Sequence, residues 1–260
     1  VNVVVCLKQV PGTTEVKIDP QTNTLIRQGI KNIINPFDTY ALEEGVRLKE
    51  KHSGRVTVIT MGPPQAEEAL REAISLGADE AVLLSDHAFA GADTWATAYT
   101  LSLAVRKLGA DIIICGRQTL DGDTGQVGPE LAEMLKLPFI AYVSQIEEIA
   151  EGHIRVRRMI EEGHEVMETT LPAVITVVKE INVPRLPSLR GIARSKSAPI
   201  PVWDAATLGA AKDKIGLAGS CTRVIKVFFP KRVSRGEKLE GDLKSQVEKL
   251  INKLKEANLI

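Results

Sequence analysis

The sequence predicts an α/β fold with a doubly wound, mostly parallel sheet, a strand-rich excursion and a C-terminal helical arm. Three observations carry this. Short apolar runs alternate with stretches of helical length through residues 3–115, a glycine-rich turn at 116–129 joins an apolar run to a helix, and an amphipathic stripe recurs near the end of the chain. Strands alternating with helices of this length imply right-handed βαβ crossovers.

Residues 3–7, Val3-Val4-Val5-Cys6-Leu7, form a continuous apolar run of the kind buried on both faces of a parallel sheet. Val16-Lys17-Ile18 and Thr24-Leu25-Ile26 flank Asp19-Pro20-Gln21-Thr22-Asn23 and predict a small hairpin. Asn35 is suited to cap a helix that starts at Pro36 and runs to about Lys51, with Ala41, Leu42, Val46 and Leu48 as its apolar stripe. The alternation continues as strand 56–60, helix 65–76, strand 81–84, helix 94–108 and strand 112–115. In such sheets ligands bind beyond the carboxyl ends of the strands, so the loops 8–14, 61–64 and 116–129 are expected to line one crevice.

Beyond Pro138 the pattern turns strand-rich, with strands 154–158 and 166–170 around the turn Glu161-Glu162-Gly163-His164, then a strand over 173–178. His164 reads as a surface loop residue, not a catalytic base. Residues 183–203 are proline-rich, carry Arg185, Arg190, Arg194 and Lys196 without an acid, and lack helical periodicity. They read as an exposed loop whose basic residues are either a solvated face or a docking surface for an acidic partner. Leu239, Leu243, Val247, Leu250, Ile251 and Leu254 define an amphipathic C-terminal helix, set apart by 216–219 and 230–236. That helix either folds back on its own domain or reaches another subunit.

The 33 basic and 33 acidic residues cancel, so no global field favours nucleic acid or an anionic membrane. Cys6, Cys115 and Cys221 are far apart, which suits a reducing cytoplasm, and the four histidines show no metal-ligand spacing, so no protein-bound metal is expected. Residues 1–7 lack the pattern of a secretory leader, and no apolar stretch reaches membrane-spanning length. A cytoplasmic protein without membrane insertion is the expectation.

The most informative stretch is Gly116-Arg117-Gln118-Thr119-Leu120-Asp121-Gly122-Asp123-Thr124-Gly125-Gln126-Val127-Gly128-Pro129. A strand, a glycine-rich turn and a helix entrance make a natural anion site, because the first helical turn leaves N–H groups unpaired under a positive dipole end. The turn contains neither G-x-x-x-x-G-K-[ST] nor G-x-G-x-x-G. Residues 116–129 are equally compatible with a capped αβ loop in which Asp123 or Thr124 is the N-cap. Asp121 and Asp123 are expected to face hydroxyls, amides or water, since a carboxylate beside a diphosphate repels it.

Taken together, Val5-Cys6-Leu7-Lys8-Gln9-Val10-Pro11, Asn35-Pro36-Phe37-Asp38, Glu43-Glu44-Gly45-Val46-Arg47-Leu48-Lys49, Gly116-Arg117-Gln118, residues 156–176 and Pro184-Arg185-Leu186-Pro187-Ser188-Leu189 resemble the β subunits of electron-transfer flavoproteins. The resemblance implies an adenine-nucleotide-binding type of α/β fold over residues 1–225 and a C-terminal arm, residues 226–260, that contacts an FAD-bearing α subunit. It implies nucleotide contacts from Cys6, Asn35, Pro36, Phe37, Asp38, Met61, Gly116, Arg117, Gln118, Leu120, Asp121, Gly122, Asp123, Thr124, Gly125, Gln126 and Val127. In this family the β-subunit crevice takes AMP or a second FAD. Residues 121–129 are similar to the subgroup that holds FAD, oxidises NADH and bifurcates the electrons between ferredoxin or flavodoxin and an acyl-CoA dehydrogenase-type flavoenzyme. No side chain is then required as a catalytic acid or base. The resemblance also makes Leu189 the apolar anchor of a partner-docking loop, with Arg190, Arg194 and Lys196 around it. A non-bifurcating carrier with structural AMP and a stand-alone nucleotide-binding module are the alternatives.

Overall fold

A computed structural model of the protein describes residues 1–12, 17–18, 25–26, 32–150, 152–225 and 236–260. The chain divides into two compact units, Val1–Ile225 and Lys226–Ile260. The first begins with β1 (Asn2–Cys6), β2 (Gln9–Pro11), β3 (Lys17–Ile18), β4 (Leu25–Ile26), β5 (Asn32–Ile34) and α1 (Pro36–His52). It continues through β6 (Arg55–Met61), α2 (Glu67–Ser75), β7 (Glu80–Leu84), α3 (Thr94–Leu108), β8 (Ile112–Gly116) and α4 (Val127–Leu135). The rest comprises β9 (Phe139–Ala150), β10 (His153–Ile160), β11 (Gly163–Thr170), β12 (Ala173–Val177), α5 (Leu189–Ser197), β13 (Val202–Trp203) and α6 (Ala205–Leu208). In the second unit, α7 (Leu243–Glu256) carries most of the expected apolar stripe; Leu239 precedes it, and Asp242 caps it by accepting the Ser245 N–H.

Among the described residues the main sheet has nine strands in the order β11-β10-β9-β12-β8-β1-β6-β7-β13. β1 lies parallel between β6 and β8, and β12 lies parallel to β8 and β9. The chain therefore winds outward from β1 through β6 and β7, then returns to the other side of β1 at β8. That reversal creates a switch point at the carboxyl ends of β1 and β8. Val3, Val5, Val56, Val58, Ile112 and Ile114 pack one face of the sheet with Leu42, Leu70 and Ile74 of α1 and α2. Val4, Cys6, Ile59, Val82, Ile113 and Cys115 pack the other with residues of α3 and α4, including Leu101 and Leu131. Burial on both faces explains why these strands read as unbroken apolar runs.

The strand-rich excursion is part of the same sheet. The first half of β9 pairs parallel with β12, and its second half pairs antiparallel with β10. β10 and β11 close through Glu161 and Glu162, so His164 lies within β11, opposite Met159, not in the turn. The paired dipeptides Lys17–Ile18 and Leu25–Ile26 are antiparallel; Val16, residues 19–23 and Thr24 lie outside the described residues.

Two further expectations need correction. Residues 183–203 are not a continuous loop, because α5 occupies Leu189–Ser197. Leu189, Ile192 and Ala193 stand at three- and four-residue spacing but all are exposed, and only Ser195 of α5 is buried, so the helix has no apolar face against the domain. Its stability comes from the Ser188 cap, whose Oγ accepts the Gly191 N–H at 2.9 Å, and from contacts with α2 and the turn after it. Arg71 donates to Ser195 O at 2.6 Å, and Arg194 donates to Ala78 O. Residues 216–219 are likewise no free linker, since Leu217 N–H donates to Ala90 O and a Cβ on Gly216 would lie 2.1 Å from Ala88 O.

Candidate functional site

The carboxyl ends of β1, β6 and β8 open into a cavity of about 530 Å³, within the range that holds small ligands and cofactors. Cys6 and Cys115 stand in register on β1 and β8 at its wall. A hydrogen bond with Cys115, then burial, pushes the Cys6 thiol well above its usual range, so it is no nucleophile. Asp38 of α1, Met61 at the end of β6, and Gly116, Arg117, Gln118, Gly122, Thr124, Gly125, Gln126 and Val127 also line the cavity. Asn35, Pro36, Phe37, Leu120, Asp121 and Asp123 are not part of that lining.

Asn35 instead builds the loop. It is fully buried; its side-chain amide donates to Gln118 O at 2.8 Å and its Oδ1 accepts the Leu120 N–H at 3.2 Å. The two awkward carboxylates also have partners. Asp121 pairs with Lys8 Nζ at 2.7 Å, a cation beyond the expected hydroxyl, amide or water, and Asp123 accepts from the Gln118 side-chain amide. Neither Asp123 nor Thr124 caps α4. Asp123 sits in the left-handed region at φ 52°, and α4 starts later, behind Gln126, with no side-chain cap. The first turn of α4 has no side-chain cap, and Gln126, Val127 and Gly128 at that end line the cavity, an arrangement that favours an anion.

The cavity extends past the three loops foreseen from topology. Gly91, Asp93, Thr94 and Thr97 at the entrance of α3 line it, together with Thr222 and Val224. Asp93 caps α3 through the Ala96 N–H at 3.1 Å, while its other oxygen accepts Thr222 N–H and Oγ1–H at 2.8 and 3.1 Å. An Asp-Thr pair opening a helix is a legible N-cap signal, so Asp93 was open to sequence reasoning. Thr222 was not, because its contact with Asp93 spans 129 residues.

Asp38 is the buried carboxyl on this wall. Burial raises its carboxyl from 3.8 to about 7, against hydrogen bonds from the Asn35 side chain and the Lys8 and Gly116 N–H groups. Its folded pKa lies above the unfolded value, so its contribution to stability is full below about pH 4 and is lost as pH rises through about 7. Asp38→Asn is expected to remove ~4 kcal/mol of stability difference across that window, at about 1.4 kcal/mol per pKa unit. Urea midpoints of both proteins from pH 4 to 8 check this; parallel pH profiles exclude it.

Leu189, Arg190, Arg194 and Lys196 lie on α5, away from the cavity lining, and all four are exposed. The segment before them is clamped. Arg185 bonds both carboxylate oxygens of Glu43 and Glu50 on α1, and Asn182 donates to Glu44 Oε2 at 3.0 Å. No described helix is long and apolar enough to cross a membrane.

The model of the electron transfer flavoprotein domain matches residues 22–208. The chain is 48% identical to the electron transfer flavoprotein subunit beta of Thermoanaerobacterium thermosaccharolyticum over the full length of both. It is 46% identical to the caffeyl-CoA reductase-Etf complex subunit CarD of Acetobacterium woodii, again over the full length of both. It is also 46% identical to protein FixA of Azotobacter vinelandii, over 96% of this chain and 93% of that protein.

Proposed function

The chain belongs to the electron transfer flavoprotein family as a β subunit, and from that premise we propose that it holds FAD in the cavity between β1 and β8 and takes part in electron bifurcation in the cytoplasm. The observation that carries this reading is the size of the cavity, about 530 Å³, and the reach of its lining, which takes in Asp38 and Gly116, the start of α4, and Thr97 and Val224. The adenosine half common to AMP and FAD does not need that reach. FAD, when bound, supplies acceptance of an electron pair as hydride and release of electrons one at a time.

The residues present fit such a group. Gly122 and Gly125 line the cavity without side chains, and a Cβ on either would meet nothing closer than 3.4 Å; the first turn of α4 has no side-chain cap, and Lys8 and Arg117 are the basic residues lining the cavity. In the proposed reaction NADH is oxidised to NAD⁺. One electron would go to ferredoxin or flavodoxin and the other, by way of the α subunit, to an acyl-CoA dehydrogenase-type flavoenzyme. The likeness to a subunit of a caffeyl-CoA reductase complex supports a CoA-thioester partner of this type. This chain's task is to bind, orient and neutralise the cofactor, without an acid or base of its own. Residues 226–260 are proposed to contact the α subunit.

Acid extraction of the purified αβ heterodimer tests the reading. Two FAD per heterodimer are expected, whereas one FAD and one AMP replace it with the non-bifurcating carrier. For the docking segment, Leu189 is 88% exposed at the first residue of α5. Leu189→Ala is expected to slow electron delivery to the dehydrogenase about tenfold, the loss typical of a buried apolar anchor, with flavin content unchanged. Unaltered delivery in a reconstituted assay removes Leu189 from the interface.

A further inference from the structure

Tyr142 is the non-glycine residue held in the left-handed region inside a strand, at φ 60°, among the described residues. The other non-glycine residues with positive φ lie at helix ends or in loops. A bulky side chain is rare in this conformation. Hydrophobic burial does not account for it, because Tyr142 is 46% exposed. The cause lies in the sheet. The pairing of β9 with β12 shifts register between Ile175 and Val177, and the Tyr142 N–H leaves the ladder to donate to Thr176 Oγ1 at 3.1 Å. The same Thr176 packs its methyl group against α4, where a Cβ on Gly128 would lie 2.5 Å from it. This bulge is therefore locked to the helix entrance that lines the cavity.

Bulges near functional sites re-aim side chains, and strained conformers persist where their surroundings over-determine them. Here the re-aimed ring lies against Arg117, whose guanidinium carbon is 5.6 Å from the ring centroid. Arg117 is held on two further sides. Its N–H donates to Val177 O at 3.0 Å and its Nε donates to Gln118 Oε1 at 2.7 Å. It lines the cavity beside Gly116 and Gln118, and a guanidinium forks onto phosphate oxygens.

We propose that Tyr142 is a positioning residue whose ring holds the Arg117 guanidinium at the cavity as the cation that meets the phosphate groups of the bound adenine nucleotide. The assignment rests on the reading of this cavity as a nucleotide site. It makes Tyr142, which is not itself among the residues lining the cavity, a determinant of cofactor affinity.

The test is calorimetric titration of FAD into the flavin-depleted αβ heterodimer, with the α-subunit site, unaltered in every variant, as internal reference. Tyr142→Leu, which keeps the bulk and removes the π face, is expected to weaken the β-subunit site about fivefold, the order of a half-exposed cation–π contact. Tyr142→Phe is expected to stay within about twofold of the natural protein. Arg117→Gln is expected to weaken binding about tenfold, as loss of a charge-assisted phosphate contact does, and adding Tyr142→Leu to it is expected to cost nothing more. An undiminished further loss in the double variant, or a Tyr142→Phe protein as weak as Tyr142→Leu, overturns the proposal. Absence of a second FAD site in the unsubstituted heterodimer, with no AMP bound instead, overturns the nucleotide reading itself and is seen before any variant is made.

Discussion

Gly116→Ala is expected to destabilise the protein by roughly 3 kcal/mol and to abolish cofactor retention, as overpacking against backbone does. The last residue of β8 meets the first turn of α1 so closely that a Cβ on Gly116 would stand 2.7 Å from the Phe37 carbonyl carbon and 2.9 Å from Asp38 N. It would also stand 2.3 Å from Asp38 Oδ1, and Asp38 is buried and tied to the Lys8 N–H at 2.7 Å. Neither wall can retreat cheaply, because one is a central parallel strand and the other a helix entrance. Separating them would move Asn35, which holds Gln118 and Leu120, and would distort the cavity. Gly122→Ala in the same loop is the control. Its Cβ would meet only Thr119 Oγ1 at 3.4 Å, so a change within ~0.5 kcal/mol is expected. Urea denaturation of both variants checks the contrast, and equal stability losses at 116 and 122 would refute it.

Arg185→Ala is expected to cost about 3 kcal/mol, because it leaves a buried carboxylate short of its partner. Glu43 has a side chain only 3% exposed and accepts from Arg185 Nε at 2.8 Å, Arg185 N–H at 3.2 Å and Arg47 Nε at 2.7 Å. Burial pushes the Glu43 carboxyl up, but the bonds from Arg185 and Arg47 more than reverse it, so it sits below 4.5. A depressed folded pKa means that the unfolded chain takes up its proton first as pH falls. The contribution of Glu43 is therefore present above about pH 4.5 and lost below it, through the folded pKa. Arg185→Ala should flatten this acid limb as well as lower stability at pH 7. The same variant frees the segment that leads into α5, so electron delivery to the dehydrogenase should fall with it. Wild-type stability at pH 7 would show the Arg185 bridges to be dispensable.

The order of parallel strands and crossover helices was legible because a strand buried on both faces must be apolar throughout, and an amphipathic helix repeats with its own turn. Topology dictates which strand ends are adjacent, and of the three loops expected at the crevice 116–129 supplies most of the lining, while 8–14 and 61–64 contribute only Lys8 and Met61 among the described residues. Asn35 was recognisable as a helix-start residue, yet its side chain serves the glycine-rich loop 83 residues away, a role that no local pattern encodes. Asp121 had no sequence partner, and Lys8 reaches it across 113 residues. α5 escaped notice because its stability comes from a cap and from carbonyl groups bonded by Arg71 and Arg194, not from an apolar face. Local periodicity and turn chemistry thus determined the central strands and their crossover helices, and pointed to the loop after β8 as a wall of the candidate site. Only the tertiary structure decided which side chains face the cavity and which hold its walls, because hydrogen bonds and ion pairs between distant segments depend on how the strands are finally placed.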